Sequence, residues 1–61
     1  MNGHDVIERL KAAGWRLDRI KGSHHVMLKD GRAVPVPEHG AKDLGPGLLA
    51  AIARQTGVDL K

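Results

Sequence analysis

Residues 14–37 decide the fold of this chain, and they read GWRLDRIKGSHHVMLKDGRAVPVP. Apolar and polar side chains alternate in three stretches of this segment, at about 15–20, 24–29 and 32–36, and a period of two is that of a β-strand. In the second stretch, the alternation places successive side chains on opposite faces of the strand. One face carries His24, Val26 and Leu28, and the other carries His25, Met27 and Lys29.

Two turns separate the three predicted strands. The first is Lys21-Gly22-Ser23, and the second is Asp30-Gly31. Asp-Gly is typical of a two-residue hairpin, because a type I′ turn needs positive φ at both central residues. Pro35 has no N–H to donate, so the third strand should lie at an edge of the sheet. The segment therefore predicts an antiparallel sheet whose strands follow one another in sequence order.

A helix is predicted on each side of this segment. Asn2 is a favourable N-cap with Asp5 at position N3, and Gly14 suits the left-handed position that ends a helix. The apolar face of this helix consists of Val6, Ile7, Leu10 and Ala13. Pro46 suits the first turn of a second helix and Gly57 its end. The apolar residues of the second helix are Leu48, Leu49, Ile52 and Ala53.

The predicted fold class is therefore α+β, as one domain over residues 1–61 in the order α-β-β-β-α. Both helices cover one face of the three-stranded antiparallel sheet, and the other face stays open. A chain of 61 residues buries only about 60% of the surface that its unfolded form exposes, so its core must be thin. No cysteine is present to cross-link it.

The sequence also argues against a membrane or metal protein. It has no basic segment followed by an apolar run at its start, and no stretch of about 18 apolar residues, so we expect a cytoplasmic protein without a membrane partner. His24, His25 and His39 have no thiolate partners for a structural zinc site, and adjacent histidines on opposite faces of a strand make poor joint ligands. We predict neither a metal nor a cofactor.

Charge is concentrated in the middle of the chain. Ten Lys and Arg residues oppose seven Asp and Glu residues, which gives a net charge of +3. Residues 14–32 hold five of these basic residues and two of the acidic ones, so this segment accounts for the whole excess. A localised cationic surface is typical of a protein that binds the phosphate backbone of a nucleic acid, although a solvated surface is the other interpretation.

Four motifs together resemble one family. They are Gly14-Trp15, Lys21-Gly22-Ser23-His24-His25, Asp30-Gly31-Arg32, and the spaced set Pro37, His39, Lys42, Leu44 and Gly47. In this combination, from about Asp5 to Val58, the chain resembles the HicA toxins of bacterial and archaeal toxin–antitoxin systems, the YcfA-like family.

The resemblance implies a fold similar to that of double-stranded-RNA-binding domains. It also implies a ribosome-independent endoribonuclease that cleaves mRNA and is neutralised by a HicB-like antitoxin. The chain departs from many relatives at Met27, where an aromatic residue is common and would offer a surface for stacking on a base. It also has Ala50 and Ala51 in place of basic residues in the second helix. With Trp15 as the only aromatic residue, recognition should depend on phosphates and shape.

His24 matches the catalytic position of the family. Imidazole exchanges protons near neutral pH, as RNA transesterification requires, and the alternative is a half-buried strand histidine. We expect Val26 and Leu28, on the same face, to carry the packing. A one-residue register slip would put His25 in the catalytic place instead. His39, in the loop before the second helix, is predicted to be structural, with RNA or HicB contact as alternatives.

RNA contacts are predicted along the basic segment. The Gly22-Ser23 turn offers backbone N–H groups that could hold a phosphate, although a plain turn would look the same. The predicted RNA-binding residues are Arg16, Arg19, Lys21, Gly22, Ser23, Lys29 and Arg32. Two other functions compete with the nuclease. One is a non-catalytic RNA-binding module of the double-stranded-RNA-binding type, and the other is a small regulatory or structural subunit of a complex.

Overall fold

The computed structural model describes residues 1–60 and confirms the predicted order of elements. Helices α1 and α2 span Gly3–Ala12 and Pro46–Thr56, and strands β1, β2 and β3 span Arg16–Lys21, His24–Lys29 and Arg32–Pro37. The strands form one antiparallel sheet in the order β1-β2-β3, so Pro35 lies on an edge strand as predicted. The predicted domain ends on Lys61, which lies outside the described residues.

Helix α1 begins and ends at its predicted caps. The Asn2 side chain accepts a hydrogen bond from the N–H of Asp5 at 2.9 Å, and the Asp5 carboxylate accepts one from the N–H of Asn2 at 3.4 Å. This reciprocal pair satisfies N–H groups that the first helical turn leaves without partners. At the other end, Gly14 has a φ of 98°, in the region that side chains disfavour.

Both hairpins close with two-residue turns. Asp30 and Gly31 have φ values of 51° and 78°, which confirms the predicted type I′ turn. In the first hairpin, Gly22 has a φ of 59° and Ser23 lies outside the positive region, the pattern of a type II′ turn. These turn types match the twist of the flanking strands, so they also set the register of β2 against its two neighbours.

The hydrophobic core lies between the helices and one face of the sheet. The helices pack mainly on β2 and β3. The buried residues of the core cluster are Val6, Ile7, Leu10, Trp15, Met27, Val34, Val36, Ile52 and Leu60. On the same side of β1, Leu17 and Ile20 remain 41% and 54% exposed, because α1 packs on β2 and β3 and α2 on β3, and neither helix packs as closely on β1.

Two predictions about packing are wrong. Val26 and Leu28 do not carry it, because both helices lie on the face of Met27, which is fully buried, and Val26 lies outside the core cluster. Leu48 is 40% exposed although it was predicted on the apolar face of α2. Neighbouring residues of a helix point about 100° apart, and α2 turns Leu49, which packs against the core cluster, toward the sheet and Leu48 away from it.

The connection at residues 38–45 returns to the start of the chain. The N–H of Leu44 donates to the carbonyl of Met1 at 2.9 Å, next to a bridge between Asn2 and Asp43. Gly3 lies directly against the end of β3 on this side. A Cβ atom there would lie 2.8 Å from the Cα of Glu38 and would also collide with the carbonyl of Pro37. Glycine therefore allows α1 to approach the sheet this closely.

Candidate functional site

The open face of the sheet is a regular array of nine side chains. Residues opposite one another in neighbouring strands share a face, so the register defines three rows across the sheet. The rows are Arg16, Leu28 and Ala33; Arg19, Val26 and Pro35; and Lys21, His24 and Pro37. Read along the strands, the β1 column is entirely cationic, whereas the β3 column has no charge. We call this surface the open face.

A bulge in β1 produces the cationic column. The pairing of β1 with β2 shifts between Leu17 and Arg19, which leaves Asp18 as the extra residue. Without the shift, period two would put Asp18 and Ile20 on the face of Arg16. With it, Arg19 and Lys21 share that face, and Ile20 moves to the helix side. The Asp18 carboxylate holds the guanidinium of Arg19 at 2.9 Å.

His24 lies at one end of the open face, between Lys21 and Pro37. Its side chain is exposed, and among residues 1–60 it makes no hydrogen bond. The preceding turn is held against the end of β3, because the N–H of Glu38 donates to the carbonyl of Ser23 at 2.7 Å. An imidazole on a fixed strand beside a turn is available to exchange protons with a bound molecule.

His25 points to the opposite side of β2. It lies opposite Ile20 and Val36 on the helix side, is partly buried, and its Nδ1 has no hydrogen-bond partner among the described residues. The register shift of this sheet falls in β1 and not in β2, so it does not exchange the two histidines. The two imidazoles therefore do not face a common ligand.

The other predicted site residues are divided between the two sides of the sheet. Arg16, Arg19 and Lys21 belong to the open face. Lys29 lies on the helix side, where its ammonium donates to the carbonyl of Ala13 at 2.8 Å, just after α1. Arg32 lies opposite Lys29 at the far end of the hairpin. A cation at a helix C-terminus stabilises the helix dipole, so Lys29 has a structural role.

The loop residue His39 follows Pro37, the last open-face residue of β3, by two residues. It is exposed, one residue after Glu38, whose carboxylate accepts a hydrogen bond from the N–H of Gly40 at 2.7 Å. Within residues 1–60, the His39 side chain makes no hydrogen bond. Its backbone carbonyl accepts a hydrogen bond from the N–H of Lys42 at 3.5 Å, and the structural role predicted for its side chain stays a prediction.

A shallow groove of about 400 Å³ crosses the open face. Its lining residues are Arg19, Lys21, His24, Val26, Ala33 and Pro35. Sequence reasoning missed Val26, Ala33 and Pro35 as site residues. The signal that could have found them is the Asp30-Gly31 turn, because a two-residue hairpin fixes which residues of β2 and β3 lie opposite one another.

Two features expected of other kinds of site are absent from residues 1–60. No three His, Cys, Asp or Glu side chains come close enough together to hold a metal ion. Neither helix is long and apolar enough to cross a membrane.

The single aromatic residue, Trp15, is 4% exposed, and Met27 is fully buried. Because position 27 belongs to the core, an aromatic residue there would not be exposed for stacking on a base.

The fold and the open face together define a class of protein. It is a small α+β domain that presents a basic sheet face with an exposed histidine at one end. Comparison with known proteins identifies the family within this class. The family model for the HicA toxin of bacterial toxin–antitoxin systems matches residues 3–58. A relative from Pseudomonas fluorescens (strain Pf0-1), named "Probable mRNA interferase HicA", is 41% identical over 49 residues, covering 80% of this chain and 82% of the relative.

This chain belongs to the HicA toxin family, which confirms the resemblance found in its sequence. The confirmed fold is the α-β-β-β-α arrangement itself. No solved structure matches the chain. The likeness to double-stranded-RNA-binding domains therefore stays a prediction.

Proposed function

We propose that this protein is a toxin that cleaves mRNA, with His24 as its single general acid–base group. The observation that carries the proposal is the third row of the open face, where the exposed imidazole of His24 lies directly opposite Lys21. The relative that is 41% identical over 49 residues is named a probable mRNA interferase, which supports the same reaction.

The reaction needs one proton-transfer group beside a phosphate. In our scheme, His24 accepts the proton of a ribose 2′-OH, and the 2′-oxygen attacks the adjacent phosphorus. The bond from phosphorus to the 5′-oxygen breaks, and that oxygen takes up a proton from the imidazolium or from water. Lys21 offsets the negative charge on the phosphate oxygens. Arg16 and Arg19 hold the neighbouring phosphates through contacts that do not depend on sequence.

Such an enzyme should be slow. A single proton-transfer group contributes about 10²–10⁴-fold to the rate, which is part of the acceleration available to a nuclease with a separate acid and base. Slow cleavage is compatible with the role of a toxin, because its effect accumulates over many mRNA molecules.

We also propose that a HicB-like antitoxin inhibits the protein by covering the His24 turn or the open face. The described residues expose 3849 Å², and a stable interface buries about 800 Å² on each partner, so the antitoxin would cover about a fifth of that surface. An acidic partner surface would speed association with the β1 column. A complex that leaves both His24 and the β1 column exposed would contradict this proposal.

The cytoplasmic location stays a prediction.

The test is to express the wild-type chain and His24→Ala from an inducible promoter, without an antitoxin. We expect growth arrest and rapid mRNA decay with the wild type and neither with His24→Ala at equal protein level. Purified proteins must then reproduce the difference on a synthetic RNA. An RNA that both proteins bind and neither cleaves would instead support the non-catalytic RNA-binding module.

A further inference from the structure

The uncharged side of the open face suggests where the nucleoside lies. The proposal rests on the function given above and extends it to how the RNA is oriented. Cations occupy only the β1 column, and the β3 column presents Ala33, Pro35 and Pro37. Neighbouring strands lie about 4.8 Å apart, so about 10 Å separates the two columns. A bound RNA therefore meets charge along one flank of the groove only.

The groove is apolar from its middle to its β3 side, and it is recessed at Val26. Val26 is 7% exposed, whereas Arg19 on one side of it and Pro35 on the other are exposed. The side chains of Val26, Ala33 and Pro35 have no polar atom, and Pro35 also lacks a backbone N–H. This part of the groove can contact the flat face of a base but cannot read its hydrogen-bonding edge.

We propose that Val26, Ala33 and Pro35 form the surface on which a base lies, which we call the nucleoside floor. The small side chain of Ala33 leaves the space that the base occupies. An RNA strand running along β1 places its phosphates on Arg16, Arg19 and Lys21 and directs its bases across the sheet toward β3. Its riboses then lie over the β2 column of the open face, where the His24 side chain is the group that can accept a proton from a 2′-OH. The floor accepts any base, so it gives little sequence preference.

The same arrangement favours an unpaired strand. The bases of a duplex are stacked on one another and their faces are covered, whereas those of a single strand can turn onto a protein surface. A duplex also carries phosphates on two strands, and the open face has cations on one flank only. We therefore expect the groove to take single-stranded RNA in preference to a helix.

The test substitution is Ala33→Leu, whose larger side chain fills the space proposed for the base. Ala33 is exposed on an edge strand, and a larger apolar residue suits a strand, so the fold should hold. Ala33→Ser keeps the size and is the matched control, and Ala50→Leu adds the same bulk on an exposed position of α2. RNA binding is measured in the His24→Ala background to prevent cleavage, and kcat and KM in the wild-type background.

Ala33→Leu should weaken the binding of a single-stranded RNA at least tenfold and raise KM, with the salt dependence unchanged because the β1 column is intact. Replacing the bases of the RNA by abasic sites should weaken binding to the parent protein but not to Ala33→Leu. Ala50→Leu should behave like the parent, whereas Ala33→Ser, which keeps the size at the same position, should lose much less affinity than Ala33→Leu.

Wild-type affinity and KM in Ala33→Leu would overturn the nucleoside floor, as would equal binding of normal and abasic RNA by the parent protein. Cleavage of a duplex as fast as of a single strand would overturn the preference for unpaired RNA. If the wild-type chain binds RNA but does not cleave it, the proposed function fails, and the affinity comparison still decides whether the floor exists.

Discussion

The two faces of the sheet show how one strand serves two purposes. Along β2, Met27 is fully buried against the helices, whereas His24 on the other face is exposed beside Lys21. His25 is the chain neighbour of His24, yet it lies on the helix side, and its Nδ1 has no hydrogen-bond partner among residues 1–60. Residues next to each other in sequence therefore belong to different physical environments. Substitutions on the helix side should change stability, and those on the open face should change function.

The sharpest test of this division compares His24→Ala with His25→Ala. We expect His24→Ala to lower cleavage by about 10²–10⁴-fold, below detection for a slow enzyme, since the proton-transfer group is gone. Its fold and RNA affinity should stay close to wild type, because an exposed imidazole leaves no cavity. His25→Ala should retain cleavage. The measurements are cleavage rate, thermal unfolding and RNA affinity on both variants.

The opposite result would be informative. If His25→Ala is inactive and His24→Ala cleaves normally, the catalytic group lies on the helix side and the proposed site is wrong. If both variants cleave, the chemistry lies elsewhere, and His39 in the loop after β3 becomes the next residue to replace.

The second prediction concerns the core side of the same strand. Met27→Ala should lower the free energy of unfolding by about 2–5 kcal/mol, as for other large-to-small changes at fully buried positions. A domain of this size has little stability to lose, so the variant should be largely unfolded. Met27→Leu keeps the volume and should cost less than about 1.5 kcal/mol. Chemical denaturation of both variants, with partly exposed Leu28→Ala beside them, checks the difference between the faces.

The order of helices and strands could be predicted from the sequence, whereas the face on which Arg19 lies could not. The caps at Asn2 and Gly14 and the Asp30-Gly31 turn are local signals, so the element order followed from them. The bulge at Asp18 has no such signal, since no glycine or proline marks it. It decides whether Arg19 shares a face with His24, and strict alternation from Arg16 would have put Arg19 on the wrong side.

Tertiary contacts explain the remaining differences. The sequence shows Lys29 as one cation of a basic segment, whereas its ammonium binds the carbonyl of Ala13 after α1. Leu60 is 6% exposed in the core, yet it follows the end of α2 and belongs to no periodic pattern. Both depend on how the helices lie over the sheet, and no local rule of sequence gives that arrangement.

The third prediction uses two glycines that both lie in the first turn of a helix. Gly3→Ala should destabilise the fold by about 1–3 kcal/mol, because the new Cβ meets backbone atoms of Pro37 and Glu38 that cannot move aside cheaply. Gly47→Ala has open space around its Cβ and should stabilise by about 0.4–1 kcal/mol. Denaturation midpoints measure both effects. Equal shifts in the two variants would show that α1 does not approach β3 as closely as described.

The smallest expected effect tests the charge difference between the faces. Arg16 and Arg32 are both exposed, but Arg16 lies on the open face and Arg32 lies opposite Lys29 on the helix side. Changing either to Gln removes the same charge from the protein. If phosphates lie along β1, only Arg16→Gln loses a contact, which lowers the salt-dependence slope of RNA binding by about 0.7 and the affinity by about fivefold at 0.1 M salt. Dissociation constants at four salt concentrations, in the His24→Ala background, give both slopes.

Equal losses in the two variants would mean that RNA responds to the net charge of the protein and not to the β1 column. A slope near zero in the parent protein would exclude phosphate binding as the source of affinity.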